Sequence, residues 1–291
     1  MIWQDYKKLY SNALKQYSPK FKKELQKQVD TYCRTQDYNA ISDKAIKKTI
    51  KQLHSALGTK MAGIAYKDVK KGTKGYYAYE FKSAQSDLWL YTILQFLERQ
   101  GLEMLAYDIT ETTKNQIKSF LAKGFEDNLT MNELIPLLKT SGITDYRAEL
   151  IARTETGRAA NIGSMVGATS TGLVTVKEWI AAKDNRTRRI PRDYADHLHM
   201  DGKQVPMDAN FEVSTKRGIE YMLHPADSKA SAANVCNCRC TLGYEAQRDS
   251  SGKPLRLENN PPKGDVGFIW NTLTNVVGMQ IGNLITRALV D

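Results

Sequence analysis

Leu173-Val174-Thr175-Val176-Lys177-Glu178-Trp179-Ile180 is where the texture of the chain changes. β-Branched and aromatic residues crowd this stretch, which reads as the first strand after a long run of helical pattern. Downstream, short extended pieces are expected at Lys203–Pro206, Ile219–Leu223 and Thr241–Tyr244, set apart by Gly, Pro, Asn and Asp. The expected class is therefore α+β and predominantly helical. A basic helical N-terminal region (1–143) leads into a small mixed α+β domain (144–245), followed by a linker and C-terminal apolar helix (246–291).

Upstream of that strand, apolar residues fall in helical stripes. Trp3, Tyr6, Tyr10, Leu14 and Tyr17 recur at three- and four-residue steps. Ser18-Pro19 predicts a fresh helix start, serine capping and proline in the first turn, and Phe21, Leu25, Val29 and Tyr32 carry the stripe on. Ile41, Ile46, Ile50, Leu53 and Leu57 form another before Gly58, and Lys70–Tyr76 reads as an exposed loop or hairpin tip. Further helices are expected over Ser86–Tyr107 and Thr110–Lys123. Thr130-Met131-Asn132-Glu133 has capping-box spacing and opens a short helix ending near Ser141-Gly142. Thr144 caps the next, running towards Thr169. Ala246–Pro262 is polar with Gly and Pro and reads as a linker. Val266–Val290 is too interrupted by Asn, Thr, Gln and Arg to span a bilayer, so its apolar face must pack on its own fold or on a partner.

Composition is that of a globular protein: 41% hydrophobic and 25% charged over 291 residues. No basic-then-apolar signal segment opens the chain, which is expected to be soluble and made in a reducing cytosol. The formal charge of +10 is concentrated: residues 1–80 hold 17 Lys/Arg against 7 Asp/Glu, and the remainder holds 25 of each. Such a region suits a polyanion or an acidic protein surface, and it equally suits a solvated helical face. Lysine outnumbers arginine there, which favours phosphate contact without sequence preference. Lys7, Lys8, Lys22, Lys23, Lys70, Lys71 and Lys74 are the candidate DNA or partner contacts.

Three of the four cysteines sit in Asn234-Val235-Cys236-Asn237-Cys238-Arg239-Cys240. A metal site, a disulfide or a reactive thiol would each explain the concentration. No glycine-rich phosphate loop follows a strand, and no nucleophile elbow is present, so nucleotide binding and serine hydrolysis have no support.

Five motifs in order carry a resemblance. They are Arg147-Ala148-Glu149-Leu150-Ile151-Ala152-Arg153-Thr154-Glu155 with Ala159-Ala160-Asn161-Ile162-Gly163; Val176-Lys177-Glu178-Trp179-Ile180; Asp184-Asn185-Arg186-Thr187-Arg188; His197 and Gly202 with Val205-Pro206; and Asn237-Cys238-Arg239-Cys240. Residues 144–245 thereby resemble the Mu F-like minor head proteins of tailed phages, also called phage head morphogenesis proteins. The chain departs from the pattern in its extra residues Arg189–Asp196, in His199 and in Cys236. The resemblance implies a low-copy, non-enzymatic component of the virion, at the portal vertex or head interior. Its implied partners are the portal protein and packaged double-stranded DNA, with the major capsid or scaffolding protein as further candidates and no membrane.

Within that region the residues themselves suggest a metal. Cys-x-Cys and His197-Leu198-His199, if extended, each present both donors on one face. Together they could supply a four-coordinate structural Zn²⁺, with Asp184 or Cys236 able to replace one imidazole. The candidate ligands are His197, Cys238, Cys240, Asp184 and His199. Glu155 with Arg153 reads foremost as an ion pair tying its helix to the β layer, and Arg186 and Arg188 as partners of carboxylates. His54, His224 and Cys33 are expected to be bystanders. The enzymatic alternative is a metal-dependent nuclease of HNH type built on Asp196-His197, although the cysteines lack Cys-x-x-Cys pairing and no closing histidine follows in a helix.

Overall fold

A computed structural model of the 291-residue chain describes residues 2–71, 73 and 85–275. Its helices are α1 (Ile2–Thr35), α2 (Lys44–Leu53), α3 (Thr59–Lys71), α4 (Gln85–Arg99), α5 (Leu102–Glu126), α6 (Met131–Thr140), α7 (Asp145–Thr169) and the single turn α8 (Ala232–Val235), with α9 over residues 264–275. A π-helical turn, His54–Gly58, joins α2 to α3 without a break. The strands are β1 (Thr175–Ile180), β2 (Gln204–Pro206), β3 (Phe211–Thr215), β4 (Gly218–Met222) and β5 (Thr241–Ala246). They form an antiparallel sheet ordered β2-β1-β5 and a separate β3-β4 hairpin. The α+β, predominantly helical reading is the observed architecture.

The centre of the molecule is α7. Every residue from Thr154 to Thr169 is buried, although this stretch carries Thr, Glu, Arg, Asn and Ser side chains. A helix buried all round normally reads as apolar; here most of the polar groups have been given a hydrogen-bond partner, the hydroxyls of Thr156 and Thr169 being the exceptions. On one side Gly163 and Gly167 meet the backbone of Gly58 and Ala62, so closely that a Cβ at either glycine would overlap main-chain atoms. Those two glycines, four residues apart, let α7 and α3 approach to backbone contact. On another side α1 lays Tyr6, Tyr10, Tyr17 and Phe21 into a core shared with α2, α3, α5 and α7. The sheet, α3, α4 and α9 close a second core on the remaining side, built around Trp179, Phe211, Ile93 and Met165.

Several local expectations change. Ser18-Pro19 does not restart a helix: α1 runs through Pro19. Tyr6, Tyr10, Ala13, Tyr17, Phe21, Leu25, Val29 and Tyr32 are all buried, so the stripe stays in phase across the proline. Burying one continuous face outweighs the single hydrogen bond the proline removes. The break between α4 and α5 falls earlier than expected, at Gly101, whose φ of +85° is a left-handed helix stop. The strand β3 was not anticipated. The stretch 246–262 is no free linker: Gln247 N–H donates to Val174 O, Val174 N–H to Leu255 O, and Leu257 N–H to Gly172 O, and Leu257 is buried. The apolar C-terminal segment docks on its own fold as far as it is described, with Val266, Ile269 and Leu273 in the second core. Its remainder lies outside the described residues, as does most of the expected loop at 70–76.

Candidate metal centre

His197, Cys238 and Cys240 come together although 41 residues separate the histidine from the first thiol. His197 is delivered by a loop whose backbone hangs on the Asp184–Arg188 turn, since its N–H and that of Leu198 both donate to Arg188 O. That turn is closed by Arg186 N–H donating to Asp184 Oδ1 and by Thr187 N–H donating to Asp184 O. The cysteines immediately precede β5. Asn237, at φ +61°, turns the chain out of α8 in a conformation that asparagine tolerates well. Extended backbone then alternates, so Cys238 and Cys240 point inward and Arg239 points out to a two-pronged ion pair with Asp184.

His197 Nδ1 lies 3.6 Å from Cys238 Sγ and 3.7 Å from Cys240 Sγ, and the three ligand atoms all fall within 4.8 Å of one another. A tetrahedral zinc, with Zn–S near 2.3 Å and Zn–N near 2.1 Å, requires N···S edges of about 3.6 Å. The spacing therefore fits an ion of that size. The three residues are only 1%, 1% and 3% exposed, and Trp179 meets the imidazole edge-on at 5.3 Å between ring centres.

The imidazole is oriented from behind. The Glu220 carboxylate accepts from Tyr194 Oη (3.0 Å), Ser231 N–H (3.1 Å) and Asn234 Nδ2 (3.0 Å). Burial pushes the Glu220 carboxyl up, but those hydrogen bonds outweigh it and hold the pKa below its ordinary value. An ionised carboxylate only accepts, so the Asn234 amide must present Nδ2 to Glu220 and Oδ1 to His197. His197 Nε2 is hydrogen-bonded to that Oδ1. The proton belongs on Nε2, and the Nδ1 lone pair is left facing the sulfurs, which is the tautomer a metal ligand needs.

The two thiols are hydrogen-bonded to each other and are shifted in opposite directions. The hydrogen bond from Cys240, then His197 and Arg188, draws the Cys238 thiol well below its usual range against the effect of burial. The same hydrogen bond, burial and the Cys238 charge push Cys240 well above it. A cation between the sulfurs would make both thiolates.

α7 braces this centre. Thr154 Oγ1 accepts Asn237 N–H (3.0 Å), and a Cβ at Gly157 would stand 3.1 Å from Cys238 O. Asn161, fully buried, donates to Pro225 O (2.9 Å) and Cys240 O (3.3 Å) and accepts from Thr241 Oγ1 (3.2 Å). Tyr6 of α1 reaches Cys240 O at 3.5 Å. Glu155 pairs with Arg158 (2.6 Å) and His54 (3.3 Å) rather than with Arg153, which turns outward to Glu149. Arg158 in turn donates to Ala226 O (3.2 Å).

Two expected ligands lie elsewhere. Asp184 is taken by Arg239, and His199 is 75% exposed and paired with Asp196 at 2.6 Å. Once the chain leaves extended geometry after His197, the His-x-His pair no longer shares a face. Cys236 is half-buried and outside the cluster. The seven candidate contact lysines are not gathered into one site. Lys7, Lys8 and Lys23 are exposed along α1, and Lys22 is paired with Asp145 at 2.9 Å. Lys70 and Lys71 end α3, Lys70 lying over the Tyr66 ring, and Lys74 is outside the described residues. Asn234, Glu220 and Asn161 were given no role from the sequence, although Asn161 lies in the first of the five motifs and Asn234 opens the cysteine stretch. His54 and His224 are both buried within polar clusters.

Residues 115–243 match the family described as Phage Mu protein F like protein. The match begins within α5, upstream of the expected start at 144, and ends in β5. Arg147 of α7 ties that helix to α5 just ahead of the match: buried, it donates to Thr113 Oγ1 and Ile109 O, both at 2.7 Å. No curated protein and no solved structure matches the chain.

Proposed function

From the match of residues 115–243 to the Mu F-like family, we propose that the chain is a phage head morphogenesis protein, a minor virion component at the portal vertex acting as a structural part. The observation that carries the non-enzymatic reading is the burial of the His197–Cys238–Cys240 cluster. An imidazole 1% exposed, aimed at two sulfurs and held from behind by Asn234, is poorly placed to reach a phosphodiester. A nuclease would need that ring at the surface.

In this reading the cluster holds a structural Zn²⁺. The ion would tie the loop after β1 to the start of β5, two segments otherwise joined by few regular hydrogen bonds. The reduced protein is expected to carry one zinc per chain by elemental analysis and to melt lower in chelator. A metal-free preparation whose melting temperature ignores chelator would defeat the zinc assignment.

The basic first eighty residues would make sequence-indifferent phosphate contacts with packaged duplex, with the portal protein as the principal neighbour and the major capsid or scaffolding protein as others. Deleting those residues would strip α1 from the core, so charge reversal at exposed Lys7, Lys8 and Lys23 is the cleaner probe. Duplex affinity should fall with added salt and fall further in that variant; salt-independent binding would count against DNA contact. The virion assignment itself is tested on purified heads, where the chain should be present in low copy beside the portal. Heads lacking it would overturn the proposal.

A further inference from the structure

A groove of about 880 Å³ runs along α2, the π turn and the start of α3, bordered by α1 and α4. Its wall holds Lys20, Lys44, Lys47, Lys48, Lys51 and Lys60, and among the described residues no acidic side chain lines it. None of these six is among the lysines singled out by the sequence. Lys44, Lys47, Lys48 and Lys51 fall at i, i+3, i+4 and i+7, which stacks four like charges on one face of α2. Like charges so placed weaken a helix. Two are offset at the groove margin, Lys47 by Glu103 and Lys51 by Glu98. Lys20 lies over the Tyr17 ring at 4.4 Å. Lys44, Lys48 and Lys60 have no carboxylate partner among the described residues.

The floor has different chemistry. Leu90 and Leu94, one turn apart on α4, and Ala56 of the π turn leave apolar surface at the base of this cationic wall. A phosphate backbone gains nothing from such a floor. Single-stranded nucleic acid would want an exposed ring to stack on. Among the described residues the one aromatic lining the groove, Tyr17, is 3% exposed, with its hydroxyl donating to Gln52 O at 3.0 Å. An apolar stripe flanked by carboxylates complements both the floor and the wall. From Lys44 to Lys60 the wall spans roughly 24 Å, the length of a helix of about 16 residues.

We propose that this groove binds an acidic amphipathic helix of a partner protein, its apolar stripe on Leu90 and Leu94 and its carboxylates on the lysine wall. The inference is independent of the metal centre and of the virion reading.

The test uses the full chain and a fluorescent amphipathic peptide of about 16 residues, leucine on one face and glutamate on the other, followed by anisotropy. A scrambled peptide of the same composition and an unlabelled DNA duplex serve as comparators. The acidic helix should bind at least tenfold more tightly than the scramble. Lys44→Glu with Lys48→Glu should weaken it about tenfold, and Leu94→Ser several-fold, with circular dichroism unchanged. Equal binding of the scramble, or indifference to Leu94→Ser, would reduce the groove to unspecific charge and overturn the proposal. Displacement of the peptide by duplex at equal phosphate and carboxylate concentration would assign the groove to nucleic acid instead.

Discussion

Lys177 offers the most quantitative test of how this protein is packed. Its side chain is 0% exposed, donates to Leu223 O at 2.7 Å and lies 5.4 Å above the Phe211 ring, with no carboxylate among the described residues in salt-bridge contact. Burial lowers its pKa from 10.5 to about 7, with Asp227 and Asp208 pulling weakly the other way. The sign follows directly. Between those two values the folded amine gives up its proton while the unfolded amine keeps it, so stability must rise with pH across that window. Applying the linkage relation from pH 7 to pH 9 gives about 2 kcal/mol for this one group. Lys177→Met cannot titrate, so its stability should lack that increment. Urea denaturation of both proteins at pH 7, 8 and 9 isolates the term, because every other titrating group is common to the two. The difference in unfolding free energy should shift by about 2 kcal/mol in favour of wild type as the pH rises. A difference that stays constant across the series would mean that the buried lysine remains charged, and the reasoning would fail.

Gly163→Ala should cost about 3 kcal/mol or more, since its Cβ would overlap the Gly58 backbone where neither helix can retreat; a loss under 1 kcal/mol by urea denaturation would mean the helices are not in backbone contact. Glu155→Gln leaves the Arg158 guanidinium buried without its counter-charge and should destabilise by about 3–5 kcal/mol, again by urea denaturation, with an indifferent variant ruling out the buried pair. Burial depresses the pKa of His54 and of His224 below 6.5, so the unfolded chain takes up protons that the folded rings refuse; stability should decline as pH falls below about 6.5, and a flat profile from pH 7 to 5.5 would contradict it. Asn234→Leu removes the hydrogen bond that fixes the His197 tautomer and should weaken zinc binding about 10–100-fold in a chelator competition; unchanged affinity would show that the amide does not orient the ring.

The parts of the fold that could be read in the chain are those governed by period. The α1 stripe, the Thr130–Glu133 cap and the alternation of β1 are local patterns, and each has its element. Cys238 and Cys240 were legible for the same reason, since extended backbone puts alternate residues on one face. His197 could be paired with them only through the motif order that resembles the Mu F-like family, because nothing local brings residue 197 to residue 238. Pro19 misled because a local rule met a longer-range one and the in-phase stripe prevailed. Asn161, Asn234 and Glu220 were invisible for a different reason: a polar side chain becomes structural only when burial removes its water, and burial here is set by α1 and α3. The two glycines facing α3 carry the same lesson, since their need for zero side-chain volume arises from a partner helix a hundred residues away in sequence.

The enclosure of α7 bears on how this protein can be divided. A fragment beginning at residue 144 would keep the His and Cys side chains but strip away the covers supplied by α1, α3 and α5. Tyr6 would no longer roof the Cys240 carbonyl, Arg147 would lose both its acceptors, and Gly163 and Gly167 would open a backbone-deep slot to water. Such a piece would expose the inner wall of a core, and it should be insoluble alone. The recognisable motifs and the unit that folds are therefore different lengths of chain, and any swap between related chains has to carry the leading helices along with the thiols.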